Sequence, residues 1–566
     1  MDGKELLARF SGSIENKQLK KMTHEDEFTI FLHGKTIKAK KGWSLMYALA
    51  KNGIFLRGDC GGNGRCAKCS VKIIQALSKN DLENIDERTD KTRATYRNVL
   101  ACQETVRKDL VIEIPYAAHL SPEVIQKPTV SQKLKSRISG FSKSDRASSG
   151  HCLAVDLGTT TIALYLCDME KASIGGSISL KNPQALFGSD VMSRIAALSE
   201  NPMVLKRLQQ IVVQSIEWGI RELCLSQNHI DLGKIRRMAV VGNSVMLHLF
   251  LGKNPSKIGV APYHPEFYNI QKVSAGKLGF NFNYDAEIFT LPLISGFLGA
   301  DIVAASLAVD LKNESFGTVL ADVGTNGELI AVGPNSMIAT SCATGPALEG
   351  AAIEHGMQAV SGAISAVSID MKTGKVKYSV KGNQKPWGIC GSGIISAVAE
   401  LLRAKILLPN GRFDQSAGFD RIRLNYKNIP ELVLVPETES GTGNAITLTQ
   451  ADIRNVQLAK GAFRSGIDFL CEKLGVKVPR RLLVAGTFGN YIEKQDALTI
   501  GMFPPMPEQN IRIVGNAAGE GAILALFDPQ SLVDAGNLAD TTQVIDLASL
   551  KSFQDHFVDS LSFPEP

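Results

Sequence analysis

The chain has 566 residues, too many for one compact domain, so three or four are expected. Its 44% hydrophobic and 21% charged content fit a globular protein in water. A net charge of +6 is small for this length and gives no case for nucleic acid as a partner.

Residues 1–26 are polar and charged, lack an apolar core and read as a solvated leader without a signal peptide. "FTIFLHGKTIKAK", residues 28–40, alternates apolar and polar around His33-Gly34, which predicts a hairpin. "SLMYALAKNG" predicts a short helix with Ser44 as N-cap and Gly53 as its stop. A cysteine loop follows, and "SVKIIQAL" and "LVIEIPY" read as later strands, giving a compact domain over 27–117. Residues 118–150 are rich in Ser and Lys and predict a flexible, basic linker.

From residue 151 the composition is globular in two similar halves, 151–315 and 316–566. One opens with "HCLAVDLGTTTIALYLCD" and the other with "GTVLADVGTNGELIAVG", each a strand, an Asp-x-Gly-Thr turn and a second strand. The most apolar run, residues 289–309, is broken by Pro292, Gly296, Gly299 and Asp301 and reads as strand, turn and helix, not as a membrane span. A cytoplasmic setting with reduced thiols is expected, where clustered cysteines suggest metal or redox chemistry more than disulfides.

The cysteine spacing is Cys60-x5-Cys66-x2-Cys69, with Cys102 following 32 residues later. Plant-type 2Fe–2S sites use C-x4-C-x2-C with a distant fourth cysteine, one residue shorter in the first gap. Gly58, Gly61, Gly62 and Gly64 let backbone N–H groups approach the sulfurs. A zinc ribbon would bring two C-x2-C knuckles, and a thioredoxin-type pair needs only two cysteines. An iron–sulfur cluster on Cys60, Cys66, Cys69 and Cys102 fits best, with zinc and no metal as alternatives. The six other cysteines read as buried small hydrophobes.

No G-x-x-x-x-G-K-[ST] sequence occurs. In "VDLGTTT", a strand ends at Asp156, Gly158 allows a tight turn, and Thr159 and Thr160 offer hydroxyls and N–H groups to phosphate. "ADVGTNGE" repeats this with Asp322, Gly324, Thr325 and Asn326. Two such loops facing each other could clamp a triphosphate while their aspartates hold Mg²⁺ through water. Gly486 and Gly489 could flank an adenine, and Gly391, Ser392 and Gly393 stand at a helix start that suits an anion; close packing is the alternative for both sets.

The paired loops resemble the acetate and sugar kinase, actin-like chaperone and actin superfamily. Residues 484–492 look like its adenosine motif, and "VVGNSVMLHLFLG" and "VGNAAGEGAILAL" look like its two connecting helices. With a ferredoxin-like domain in front, and with "FGSDVMSRI", "ATGPALEGAAI" and "GICGSGIISAV", the chain over about 28–530 resembles the reductive activators of corrinoid proteins, of the O-demethylase activating type. The resemblance implies an α/β multidomain fold: a β-grasp ferredoxin-like domain, a linker and two ribonuclease H-like lobes. It implies a 2Fe–2S cluster, ATP and Mg²⁺, with ATP-driven reduction of a partner's Co(II) corrinoid to Co(I). A low-potential donor upstream and a homodimer are implied too. Longer family members carry a middle domain where this chain is expected to have only the linker.

On this reading Asp156 and Asp322 are catalytic and organise Mg²⁺, and Glu328 and Glu349 are candidates for the base. The sequence D-x-H-x-x-G of many cobalt-ligating histidines is absent, so the cobalt is expected on the partner. The rivals are an activator of a radical dehydratase or dearomatising reductase, a metabolite kinase with a redox-sensing module, and a chaperone-like binding module.

Overall fold

The computed structural model describes residues 27–32, 35–52, 54–56, 69–75, 95–115, 118–120, 128, 130–141, 150–188, 190–200, 203–227, 230–350, 352–370, 373–382, 384–425, 428–486, 492–547 and 551–565. The leader, the His33-Gly34 turn, Gly53, the glycines and first two cysteines of the cysteine loop, and Gly489 lie outside them. The chain forms two units, residues 1–121 and 122–566.

The first unit is a five-stranded mixed sheet. Strands β1 (Glu27–Leu32), β2 (Lys35–Lys40), β3 (Ser70–Gln75), β4 (Thr95–Leu100) and β5 (Leu110–Glu113) lie in the order β2-β1-β5-β3-β4. The β1–β5 pair is parallel and the other pairs are antiparallel. Helix α1 (Leu45–Lys51) begins at Ser44, whose hydroxyl accepts from Tyr47 N, as the sequence predicts. Ile30, Leu45, Leu49, Val71 and Ile112 are buried together with Ala101 and Val106.

The second unit holds two six-stranded sheets of like topology. The first comprises β6 (His151–Leu157), β7 (Thr161–Asp168), β8 (Ser173–Lys181), β9 (Ile235–Val241), β10 (Lys272–Ser274) and β11 (Glu287–Thr290), ordered β8-β7-β6-β9-β11-β10. The second comprises β12 (Thr318–Val323), β13 (Gly327–Val332), β14 (Met337–Cys342), β15 (Arg481–Ala485), β16 (Ile511–Gly515) and β17 (Gln543–Val544), ordered β16-β15-β12-β13-β14-β17. In each, an antiparallel three-strand meander meets a parallel strand beside its first member: β9 beside β6, and β15 beside β12. The expected repeat is therefore a repeat of topology, with an Asp-x-Gly-Thr hairpin at the same place in both sheets.

The second sheet is apolar on both faces. Val319, Ala321, Val323, Leu482 and Val484 point into one core, and the alternating Leu320, Leu483 and Ala485 point into the other. Helices α3 (Ala300–Val309) and α4 (Ala517–Phe527) lie in the core shared with the first sheet. They approach so closely that a Cβ on Gly521 would lie 2.0 Å from the Ala304 carbonyl oxygen. α3 and α4 are thus the paired connecting helices. "VVGNSVMLHLFLG" instead forms the helix Ser244–Leu251, buried almost all round in the first lobe's core.

The 118–150 segment also departs from the expected linker. It carries helix α2 (Gln132–Ser139), capped by Ser131, and Leu134 and Ile138 are buried in the core of the ATPase-like unit. Two apolar residues four apart suffice to lay one face of this short helix on a neighbour; their sparseness among Ser and Lys hides them in composition.

Gly521→Ala tests the helix pairing. Alanine should add roughly 1 kcal/mol of helix preference. Its methyl group would enter the Ala304 carbonyl, so a net loss of about 2 kcal/mol in urea unfolding is expected. A stabilised variant would contradict the pairing.

Candidate functional site

In the first unit, β3 and β4 pair through Ser70 opposite Leu100, so the residues just beyond, Cys69 and Cys102, are brought to one end of the sheet. Ala101 N–H donates to the Cys69 carbonyl at 3.0 Å, and Met46 N–H donates to the Ala101 carbonyl at 2.9 Å, which fixes the Cys102 turn against α1. The two sulfurs lie 3.4 Å apart, too far for a disulfide bond of about 2.05 Å. Two thiolates on one tetrahedral metal with bonds of about 2.3 Å would stand about 3.8 Å apart, so these two cysteines fit adjacent ligand positions. Cys60 and Cys66 fall outside the described residues.

In the second unit a cavity of about 500 Å³ is bounded by both Asp-x-Gly-Thr hairpins. Asp156, Gly158, Thr159 and Thr160 line it from one sheet, and Asp322, Gly324, Thr325 and Asn326 from the other. Gly391, Ser392 and Gly486 line it as well. Gly393 does not: a Cβ there would meet the Ile364 carbonyl oxygen at 2.2 Å, so this glycine serves close packing.

Each hairpin is braced from behind. Gly158 N–H donates to the Thr161 carbonyl at 3.0 Å, and a Cβ at Gly158 would lie 2.6 Å from that oxygen. The fully buried Arg194 donates to the Thr159 carbonyl at 2.6 Å, and Asn243 Nδ2 donates to Thr159 Oγ1 at 3.0 Å. In the second hairpin the Thr344 hydroxyl lies 3.0 Å from both the Gly324 and the Thr325 carbonyl. Gly486, at φ +103°, lies under it, where a Cβ would come within 2.6 Å of the Val323 carbonyl and 2.9 Å of Asp322 Oδ1. Glu349 joins the two hairpins: one carboxylate oxygen accepts from Thr160 and the other from Thr325, the latter at 2.8 Å.

The electrostatics are one-sided. Asp156, Asp301, Asp322, Glu328 and Glu349 all face the cavity, and none of the described lining residues is Lys or Arg. Burial, then the charge of Asp301, pushes Asp156 up to about 7, against the pull of the Asn516 amide. Burial and the charges of Asp301 and Asp156 push Asp322 up to about 8. Burial raises Asp301 to about 6 and drives Glu328 well above the carboxylate range, the two sharing a hydrogen bond. A carboxyl held protonated is a poor base, which weighs against Glu328 in that role. Such a wall repels an anion unless a divalent cation enters with it.

Sequence reasoning missed Asp301, Asn243, Asn516 and Arg194. Asp301 stands in the first turn of α3, and Asn516, the N-cap of α4, donates to Asp156 Oδ2 at 2.8 Å. Both begin helices next to glycine, at Gly299 and Gly515, and that pattern was the available signal.

The raised aspartates set a pH dependence. Each binds its proton more tightly in the folded than in the unfolded chain, so its contribution is present near pH 4 and is lost as pH rises through about 7 for Asp156 and about 8 for Asp322. Without added cation, thermal unfolding should move to lower temperature between about pH 5 and pH 8.5. Asp322→Asn should raise Tm by at least about 2 °C more at the upper pH than at the lower. An equal shift at both would count against the acidic wall.

Three segments match known families. Residues 29–107 match the 2Fe–2S iron–sulfur cluster binding domain, 151–314 the RACo middle region, and 317–566 the C-terminal ASKHA domain of RACo. The corrinoid activation enzyme RamQ of Eubacterium limosum is 29% identical over 568 residues, covering 91% of this chain and 95% of that protein. The [Co(II) methylated amine-specific corrinoid protein] reductase of Methanosarcina barkeri is 25% identical over 452 residues, covering 73% and 76%. A solved reductive activator for a corrinoid, iron–sulfur protein aligns with TM-score 0.68 and 28% identity over 95% of this chain and 98% of that one. The expected absence of a middle domain is corrected: residues 151–314, the first lobe, match the RACo middle region. Among the described residues no helix is long and apolar enough to cross a membrane. The chain thus carries, in order, a 2Fe–2S iron–sulfur cluster binding domain, the RACo middle region and the C-terminal ASKHA domain of RACo.

Proposed function

We propose that this protein is an ATP-dependent reductive activator of a corrinoid protein, passing one electron from a reduced 2Fe–2S cluster to Co(II) and so forming Co(I). The observation that carries the reading is the union, in one chain, of a cysteine pair at the end of a 2Fe–2S-type domain with a cleft between two Asp-x-Gly-Thr hairpins. The names of the relatives point to the same acceptor.

In this reading Cys60, Cys66, Cys69 and Cys102 hold the cluster. Asp156 and Asp322 hold Mg²⁺ through water, which brings the missing positive charge into the acidic cleft. Thr159, Thr160, Thr325 and Asn326 take the phosphates on the turns made by Gly158 and Gly324. Gly391, Ser392 and Gly486, with Gly489, border the adenosine. A low-potential donor reloads the cluster, and the working form is a homodimer in the cytoplasm.

Co(I) is so strong a reductant that the transfer runs uphill from an ordinary 2Fe–2S donor, about 59 mV for each unfavourable tenfold in a one-electron step. Binding and hydrolysis of ATP shift this by favouring one conformation of the complex over another.

The test is anaerobic. Purified protein, ATP, a low-potential reductant and a Co(II) corrinoid protein are mixed while the cobalt absorption is followed. ATP-dependent loss of the Co(II) bands is expected, and none across several corrinoid partners overturns the proposal. Cys66→Ala should lose the iron–sulfur spectrum and keep ATP binding. Asp322→Ala should keep the spectrum and lose ATP hydrolysis by about 100-fold or more. A Cys66→Ala protein that no longer bound ATP would contradict the separation of the two functions.

A further inference from the structure

The segment that follows the iron–sulfur domain in the chain is fastened to the helix that touches the cleft. Ser131, the N-cap of α2, donates both its N–H and its hydroxyl to the carboxylate of Glu520, the hydroxyl at 2.8 Å to Oε2. The same hydroxyl accepts from Leu134 N–H at 3.2 Å and so starts α2. Glu520 is 7% exposed and stands in the first turn of α4. At the far end of α4, Asp528 pairs with Arg137 of α2 at 3.5 Å. Earlier in the chain, the Ser177 hydroxyl donates to the Pro128 carbonyl at 3.2 Å, and Pro128 lines the cleft.

The other side of this contact leads to the nucleotide loop. Glu520 N–H donates to the Asn516 carbonyl at 3.0 Å, closing one turn of α4. The Asn516 amide donates to Asp156 Oδ2 at 2.8 Å and to the Tyr165 hydroxyl at 3.1 Å, with Tyr165 on the strand that leaves the first hairpin. Asp156, Asn516, Glu520 and Ser131 therefore form a continuous set of hydrogen bonds from the cleft to the start of the tether helix. The contact is made by a buried carboxylate with two charge-assisted donors from one residue, a geometry that a rotation of α4 would break in one step.

We propose that the Ser131–Glu520 clasp is the coupling element between the cleft and the iron–sulfur domain: occupancy at Asp156 acts through Asn516 and the first turn of α4 to hold or release α2, and so sets how much chain is free to carry that domain. This rests on the reading of the cleft as an ATP site. A nucleotide that changes the Asp156–Asn516 bond has different contacts with the held and released states, which is what a population shift requires.

Hydrogen exchange of the full chain with and without the Mg²⁺ complex of a non-hydrolysable ATP analogue tests it. In the unaltered protein the amides of residues 130–141 should change exchange rate by about tenfold on nucleotide binding. In Ser131→Ala and Glu520→Gln that response should vanish, nucleotide should still bind with an affinity shifted by the lost coupling, and more ATP should be hydrolysed per Co(II) reduced. Ser131 is only partly buried, so its variant keeps the test valid if the Glu520 variant misfolds. Nucleotide binding without any change over 130–141 in the unaltered protein overturns the clasp alone. So does a response in the variants equal to that of the unaltered protein. Failure of nucleotide to bind at all overturns the reading of the cleft and the clasp with it.

Discussion

The backbone contact between α3 and α4 is the constraint on which the ATPase-like unit depends. Gly521 lets the Ala304 carbonyl approach to where a side chain would otherwise begin, and Ala305, Ala518 and Ala522 keep the neighbouring surface small. This closeness has a functional cost and a functional yield. It removes packing volume that larger residues would fill, and it brings the N-terminal ends of two helices to one cavity. From α3 comes Asp301, from α4 Asn516, and both meet Asp156. The helices also lie between the two sheets, sharing one core with the first and with one face of the second. A rotation of one lobe against the other must pass through them.

Around that contact the protein collects carboxyls and leaves them uncompensated. Among the described residues five acidic side chains line the cavity and no Lys or Arg does, while the buried Arg194 guanidinium donates to the Thr159 carbonyl and, against the burial that raises Glu349, lowers it by its charge. Burial and mutual repulsion keep several of them protonated near neutrality. An ordinary core would replace such a set with apolar residues and gain stability. The set makes sense where a cation arrives with the ligand, because the same repulsion then becomes attraction. The Glu349 bridge belongs to the same set, since it ties the two hairpins through the Thr160 and Thr325 hydroxyls.

Much of this was legible in the sequence because it rests on local signals. The Asp-x-Gly-Thr turns need glycine at fixed positions between apolar strands, and both appear as hairpins on opposite walls of one cavity. Ser44 announced its helix by hydroxyl chemistry alone. What escaped depends on tertiary packing. The helix at 244–251 and α3 are both mostly apolar and buried almost all round, so composition cannot tell a core helix from a connecting one; the contact of Gly521 with Ala304 decides. In the sequence Asp301 shows only as a break in an apolar run, since nothing within that run reports the hydrogen bond it shares with Glu328. The α2 segment carries two buried apolar residues among Lys, Arg and Ser, too few for composition to distinguish from a solvated linker.

That last difference changes the physical picture of the tether. A fully flexible connection of 33 residues would search a wide volume and tell the cluster nothing about the cleft. A connection docked through α2 searches less and carries a state. α2 is held by Leu134 and Ile138 in the core, by Arg137 on Asp528 and by Ser131 on Glu520, and only the last of these joins the bond network at Asp156. The apolar contacts supply a standing affinity that nucleotide does not alter, and the carboxylate supplies the part it can. Coupling of this kind needs only a few kcal/mol between two states to change which one is populated. A single desolvated carboxylate with two donors is of that size.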